Sequence, residues 1–193
     1  MSWIVWTLKA YGLFGALPLA LVAAGIYAAA RIAYLRFAKK PRGALSAEIA
    51  RGLLVAYLVV LFVIVWFPEL PKLVFGQIPL SEFLALTFAR GDYAENFRFF
   101  ALFKGDFSVL RDEELVGNIV MFVPYGILLA VSFQKLRWWA VDLIGLGTTV
   151  TIELVQPFLE RSCDLDDIIA NTLGAVIGCG IAKLVLTLSR KRE

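Results

Sequence analysis

The feature of this sequence that most restricts its fold is a set of five apolar runs, each near the length that crosses a lipid bilayer. A transmembrane helix needs about 20 predominantly apolar residues. The runs are Tyr11–Ala30, Leu53–Phe67, Leu115–Phe133, Trp139–Leu159 and Ile168–Leu188. Since 60% of the 193 residues are hydrophobic and 18% are charged, an ordinary soluble globule is excluded. The sequence predicts an all-α integral membrane protein, a bundle of about five transmembrane helices.

The positions of the basic residues predict the orientation of the bundle. Basic clusters lie between the first and second runs, between the third and fourth, and after the fifth: Arg31, Arg36, Lys39, Lys40, Arg42 and Arg51; Lys135 and Arg137; Arg190, Lys191 and Arg192. In a five-helix chain all three clusters face the same side, which the positive-inside rule makes cytoplasmic. We therefore expect the N-terminus outside and the C-terminus in the cytoplasm. The first run, preceded only by Lys9, is interpreted as a retained anchor.

The segment between the second and third runs, residues 68–114, is predicted to be extracytoplasmic. It holds five basic residues and eight acidic ones. Aromatic residues recur through it: Phe83, Phe88, Tyr93, Phe97, Phe99, Phe100, Phe103 and Phe107. This composition predicts short amphipathic helices on the outer leaflet, one of them capped by Ser81. Alternatively, the aromatic side chains pack as a lid over the bundle.

These runs divide the chain into three parts. Residues 1–67 form two N-terminal transmembrane helices with a basic cytoplasmic loop, residues 68–114 form the extracytoplasmic amphipathic segment, and residues 115–193 form a core of three transmembrane helices. The chain has no histidine, which excludes histidine zinc sites and Ser-His-Asp or Cys-His catalysis. Cys163 and Cys179 are about 24 Å apart if they share one helix, so no disulfide joins them. The net charge of +3 does not indicate nucleic-acid binding.

Polar side chains inside the third and fourth runs are the strongest functional evidence, because such groups are costly in a bilayer. In the third run Asn118 lies about one turn from the outer end, and Pro124 predicts a kink. Asn118 alone is also explained by interhelical hydrogen bonding. The fourth run carries one polar stripe: Asp142, Thr149, Glu153, Gln156 and Glu160. Near the outer end of this run Glu153 is either a neutral buried acid or the ion-pair partner of Arg161.

The fifth run carries a stripe with two different properties along its length. Asp164, Asp167, Asn171, Gly174 and Gly178 follow one another at spacings of 3, 4, 3 and 4, so they share one helix face. The two glycines predict a surface for close helix packing. Asp164 is a natural N-cap, and aspartates in the first turn favour the helix dipole. These structural roles do not explain why three polar residues share the face of the glycines.

The predicted topology brings these polar residues to one end of the bundle. The candidate ligand-binding residues at the outer ends of the third, fourth and fifth helices are Asn118, Glu153, Gln156, Arg161, Asp164, Asp167 and Asn171. We expect them to line a polar pocket that opens to the outside under the aromatic segment.

The same residues carry a resemblance to a known family. The stretches Asn118-Ile-Val-Met-Phe-Val-Pro-Tyr-Gly126, Glu153-Leu-Val-Gln156 and Arg161-Ser-Cys-Asp-Leu-Asp-Asp167, followed by Asn171, Gly174 and Gly178, resemble the VanZ-like family. The resemblance covers about Glu114 to Leu188, with Cys163 where an apolar residue such as Phe is usual. It implies a multi-pass protein of the bacterial cytoplasmic membrane. The family's namesake is associated with low-level resistance to the glycopeptide antibiotic teicoplanin, but the resemblance supplies no reaction.

The favoured hypothesis is a cell-envelope factor without catalytic activity or cofactor that lies among membrane lipids. Its outer pocket would bind an amphiphile, either a lipid-linked cell-wall intermediate or a lipoglycopeptide. Arg161 would meet a phosphate or carboxylate, and the amides of Asn118, Gln156 and Asn171 would bind amide and hydroxyl groups. The aromatic segment suits an acyl or prenyl chain.

Two alternatives remain open at this point. In the first, the chain is a Mg²⁺-dependent enzyme that acts on a polyprenyl phosphate, with Asp164, Asp166, Asp167 and also Glu153 as oxygen ligands. In the second, it is a structural bundle held together by buried polar contacts, which explains the amides better than the aspartates and Arg161.

Overall fold

The computed structural model describes residues 15–39, 45–88, 97–98, 113–159, 161 and 163–190. Its helices are α1 (Leu17–Phe37), α2 (Leu45–Val65), α3 (Leu70–Val74), α4 (Leu80–Thr87), α5 (Glu113–Ser132), α6 (Trp138–Val155) and α7 (Leu165–Arg190). A 3₁₀ turn, Gln156–Leu159, extends α6, and two strands of two residues each, β1 (Phe97–Arg98) and β2 (Cys163–Asp164), complete the described elements.

Five of the helices in these ranges, α1, α2, α5, α6 and α7, are long and apolar enough to span a membrane. The predicted multi-pass helical architecture is therefore confirmed. The expected bounds of the first two spans were wrong, because α1 extends to Phe37 and α2 begins at Leu45 rather than Leu53. Both helices include charged residues, and these residues marked the limits of the apolar runs in the sequence. Glu48 of α2 explains how the helices accommodate them, since it binds Arg31 of α1 at 2.9 Å and Arg51 of its own helix at 2.7 Å.

The core forms where α7 packs mainly on α5, with α6 on α7 and α2 on α5. Buried side chains at its centre include Phe122, Tyr125, Leu129, Ala175 and Cys179. Helix α1 lies at the edge of the bundle, where it packs on α2.

Glycines allow α5 and α7 to approach closely. A Cβ at Gly174 would collide with the carbonyl oxygen of Ile119, and one at Gly178 would collide with that of Val123. Gly126 on α5 makes the reciprocal contact, since its Cβ would meet the carbonyl oxygen of Ala175. The predicted packing surface of Gly174 and Gly178 is confirmed.

Hydroxyl groups connect the helices at membrane depth. The Tyr57 hydroxyl of α2 donates to the carbonyl oxygen of Met121, in the turn of α5 that precedes Pro124. Thr149 of α6 and Thr172 of α7 share a hydrogen bond of 3.1 Å. Although Pro124 cannot donate a backbone hydrogen bond, α5 continues as a helix to Ser132.

The segment predicted to be extracytoplasmic, residues 68–114, is called the outer segment below. It begins with the two short helices α3 and α4. The N-cap of α4 is Pro79, which makes no side-chain capping bond, so the expectation that Ser81 caps this helix was wrong. The ring of Phe83 stacks on that of Phe67 at 6.3 Å between centroids, which ties α4 to the end of α2. Other aromatic residues of the predicted lid, Tyr93, Phe99, Phe100, Phe103 and Phe107, lie outside the described residues.

Strands β1 and β2 join the outer segment to the start of α7. They pair in parallel, with Phe97 opposite Cys163 and Arg98 opposite Asp164. The backbone of the outer segment is thus held beside the residues that lead into α7.

Candidate functional site

Polar side chains from three helices meet at one end of the bundle. This end holds the C-termini of α2 and α6 and the N-termini of α5 and α7, and it is the end predicted to face outward. We use the term polar cluster for Asn118, Glu153, Gln156, Arg161, Asp164, Asp167 and Asn171. Direct hydrogen bonds connect several members, so the structure brings them together as the periodicity predicts. Their role in ligand binding stays a prediction.

Glu153 links the end of α6 to the start of α7. Its side chain is 1% exposed, and its Oε2 accepts a hydrogen bond of 3.1 Å from the backbone N–H of Asp164. Asp164 in turn accepts a bond of 3.4 Å from the backbone N–H of Asp166, which is the capping role that the sequence predicts. The N-terminus of α7, where the helix dipole is positive, therefore lies beside the buried carboxyl group.

Asn118 and Asp167 connect α5 to α7. The Asn118 Nδ2 donates to Asp167 Oδ1 at 2.7 Å, and Asn118 is 7% exposed. An amide donor that meets a carboxylate in a place with little water makes a strong contact. This bond fixes the outer ends of the two closely packed helices.

Gln156 and Asn171 complete the buried part of the cluster. Gln156 opens the 3₁₀ turn after α6, and Asn171 lies one helical turn after Asp167. Asn171 is 3% exposed, yet among the described residues its Oδ1 has no hydrogen-bond partner. A buried amide oxygen without a donor costs about 1–3 kcal/mol. This position therefore suits a ligand that presents an N–H or O–H group.

Arg161 binds the end of a helix rather than neighbouring carboxylates. Its Nη1 donates to the carbonyl oxygens of Val65 at 2.9 Å and Ile64 at 3.3 Å. These are the last residues of α2, whose unpaired carbonyls and dipole favour a positive charge. No ion pair of Arg161 occurs within the described parts of the chain, and Glu160 lies outside them. The guanidinium has five N–H donors, so it has donors besides those on Nη1.

The carboxylates do not assemble into a metal site. In the part of the chain that the structure describes, no three His, Cys, Asp or Glu side chains lie together in a way that holds a metal ion. Asp164 directs Oδ1 to the backbone of Asp166, whereas Asp167 directs Oδ1 to Asn118. Asp166 projects about 100° away from Asp167 around the helix axis. The proposed Mg²⁺ set of Asp164, Asp166 and Asp167 thus gains no support from this geometry.

Cys163 lies beside the cluster in β2, and its thiol is 4% exposed. Burial raises the pKa of this thiol, and the nearby carboxyl groups of Glu153 and Asp164 raise it further. Because the thiolate is the reactive form, the raised pKa lowers the reactivity of Cys163. Cys179 is also a buried free cysteine, in agreement with the expectation that the two do not pair.

An apolar groove of about 220 Å³ lies next to the polar cluster, between α2 and α6. It is lined by Leu58, Leu61, Phe62, Val65, Trp66, Thr148 and Ile152. The indole Nε1 of Trp66 donates to the carbonyl oxygen of Ile152 at 3.3 Å, which bridges the two helices at its outer end. Sequence reasoning missed the groove because its residues look like any apolar helix face. The one available signal is Trp66, an aromatic residue at the end of a span, where such residues are enriched.

Comparisons with known proteins extend the resemblance beyond the three-helix core. The sequence model of the VanZ/LLP1 family matches residues 54–186. Protein VanZ of Enterococcus faecium is 28% identical to this chain over 133 residues, which cover 67% of this chain and 71% of that protein. No solved structure matches the chain. The family match includes most of α2 and the outer segment, whereas the motifs alone indicated a resemblance only from about Glu114 onward.

Proposed function

Since the chain belongs to the VanZ/LLP1 family, we propose that it is a bacterial cell-envelope factor that contributes to resistance against teicoplanin by binding an amphiphile at its polar cluster. The amphiphile is either a lipid-linked cell-wall intermediate or the lipoglycopeptide itself. In this proposal the N-terminus lies outside, the C-terminus lies in the cytoplasm, and the cluster faces the side on which the cell wall is built.

The observation that carries the proposal is the concentration of buried polar groups at one end of a membrane bundle. Glu153, Asn118 and Asn171 are all less than 10% exposed there, although polar groups inside a membrane protein are expensive. A purely structural role accounts for the Asn118–Asp167 bond. It does not account for the buried Asn171 oxygen, whose desolvation is not offset within the described residues.

The chemistry of the cluster suits a head group with both anionic and amide character. Arg161 holds the end of α2 through Nη1, and its other donors suit a phosphate or carboxylate. The oxygen of Asn171 accepts from an amide or hydroxyl group. Lipoglycopeptides and peptide-bearing cell-wall lipids combine these groups with a hydrocarbon chain, which fits a site between membrane helices.

The test is antibiotic susceptibility in a Gram-positive host that expresses the chain. We expect the chain to raise the minimum inhibitory concentration of teicoplanin about fourfold or more, which as a change in binding corresponds to roughly 0.8 kcal/mol at 1.4 kcal/mol per tenfold step. The effect on a glycopeptide without an acyl chain should be smaller. No increase for the parent chain would contradict the proposed resistance role.

A pair of matched variants separates a binding cluster from structural contacts. Asp167→Asn retains an oxygen that accepts from Asn118, so we expect normal folded yield and lost resistance. The control is Asp142→Asn on α6, which removes a carboxylate from a span but at the opposite end of the bundle. If Asp167→Asn retains full resistance, or if its thermal stability falls in step with its activity, the cluster is structural and the binding proposal fails.

A further inference from the structure

The groove between α2 and α6 opens on the side of the helix bundle. Both of its walls belong to membrane spans. These two helices pack less on each other than on the helices of the core. Helix α2 packs on α5, and α6 packs on α7. Leu58, in the α2 wall, is 40% exposed, so the groove is reached from the side of the bundle.

The walls of the groove offer no polar group that needs a partner. Thr148 is the one hydroxyl residue among those lining it, and its Oγ1 donates to the carbonyl oxygen of Ile144 at 2.9 Å. The same oxygen bonds to the Tyr125 hydroxyl at 2.8 Å. The indole N–H of Trp66 is used by Ile152. An occupant therefore gains from apolar contact alone.

The groove is continuous with the polar cluster. Val65 lines the groove, and its carbonyl oxygen accepts from Arg161. On the other wall, Ile152 lines the groove and is followed directly by Glu153. A molecule with a polar head at the cluster thus has an apolar channel leading from that head toward the membrane interior.

We propose that this groove holds the hydrocarbon chain of the amphiphile whose head group binds the polar cluster. The inference rests on the proposed function and specifies where the chain lies. A linear acyl or prenyl chain enters the groove near its head and continues into the bilayer.

The experiment uses the full chain in phosphatidylcholine nanodiscs and a photoreactive alkyl phosphate with a diazirine in the middle of a 12-carbon chain. Cross-linked peptides are mapped by mass spectrometry. We expect labelling of the α2 and α6 walls at Leu58, Phe62 or Ile152. Excess dodecyl phosphate should compete this labelling at least tenfold better than dodecanol, because dodecanol lacks the anionic head.

Leu58→Trp fills the groove from its exposed side and should reduce the groove labelling at least fivefold. Leu58→Phe is a smaller version in case the first variant gives little protein. The control is Leu53→Trp, a more exposed position (53%) on the same helix that does not line the groove. This variant should label like the parent.

Three outcomes overturn the proposal. Equal competition by dodecanol, or equal labelling of Leu58→Trp and parent, would mean that bulk lipid merely touches the groove. No labelling of the groove in the parent would assign it to a protein segment instead. If one of these outcomes is found while the protein still confers resistance, only the proposed position of the hydrocarbon chain is wrong. Failure of the proposed resistance role is detected separately, by the susceptibility test.

Discussion

At the scale of single residues, Glu153 is the most deeply buried carboxyl group in the described part of the chain. Its contact with the backbone of Asp164 joins two helices across the 3₁₀ turn and the following loop. The side chain is therefore part of the site and also part of the frame that positions it.

Glu153→Gln and Glu153→Ala should separate these two roles. Gln keeps an oxygen that accepts from Asp164 and has nearly the same volume, so we expect little change in thermal stability. Ala removes the carboxyl group that accepts from the partly buried Asp164 N–H and creates a cavity, at a cost of about 2–4 kcal/mol. The measurement is thermal unfolding of purified protein in detergent. A loss of equal size in both variants would show that charge, rather than hydrogen bonding and packing, is what the position supplies.

The sequence predicted the positions of the cluster better than the contacts of its members. Helical spacing was sufficient to bring Asn118, Asp164 and Asp167 to one end, because the N-termini of α5 and α7 lie at the same end of the bundle. The hydrogen-bond partners of Arg161 could not be predicted from the sequence. Four carboxylates lie near it in the sequence, but its actual partner, Val65, lies 96 positions away and offers only a backbone carbonyl, which leaves no trace in the sequence pattern.

At the scale of elements, the contact of α5 with α7 depends on glycines with no room for a side chain. Gly174→Ala and Gly178→Ala should each cost about 1–3 kcal/mol, since the methyl group meets backbone that cannot move aside easily. Gly180→Ala is the matched control on the same helix, because nothing lies within 4 Å of its added methyl group. We expect Gly180→Ala to be neutral or slightly stabilising, as Ala favours a helix more than Gly does. Equal losses at all three positions in a thermal unfolding series would contradict the close approach described above.

The end of α2 depends on Arg161. Arg161→Ala should remove about 1.5–3 kcal/mol and increase amide hydrogen exchange in the last turn of α2. Arg161→Lys should restore only part of the protection, because an ammonium is a point charge without the planar array of donors. The control is Arg137→Ala, an exposed residue at the opposite end of the bundle. Unchanged exchange in Arg161→Ala would show that the contact contributes nothing to α2.

The bounds of the spans show what hydropathy alone misses. It located α5, α6 and α7 closely because apolar residues predominate along them. It misplaced the facing ends of α1 and α2, where Glu48 of α2 pairs with Arg31 of α1 and with Arg51 of its own helix. When charged residues pair between two helices, the helices extend beyond the bounds that a search for apolar runs predicts.

At the scale of the whole molecule, the predicted orientation in the membrane rests on the basic clusters and the five spans. In intact cells, Lys40→Cys and Arg190→Cys should resist an impermeant thiol reagent, whereas Asp92→Cys should react. The parent chain is the background, since both native cysteines are buried. Reaction at Arg190→Cys without reaction at Asp92→Cys would place the polar cluster on the cytoplasmic side and overturn both proposals.

The groove and the strand pair belong to this scale too, and neither was predictable. The groove depends on how α2 and α6 lie around the core, and its apolar residues are typical of any lipid-facing surface. The strands are two residues each, too short to leave the alternating pattern by which a strand is recognised.

The pairing of β1 with β2 also sets a sequence of events during synthesis. Cys163 follows its partner Phe97 by 66 positions, and the helices α5 and α6 lie between them. At about 5–20 residues per second, the ribosome reaches Cys163 roughly 3 to 13 s after Phe97. During that interval β1 lacks this partner strand. The strand pair therefore forms only after α5 and α6 have been synthesised, and a chain that stops before Cys163 cannot form it.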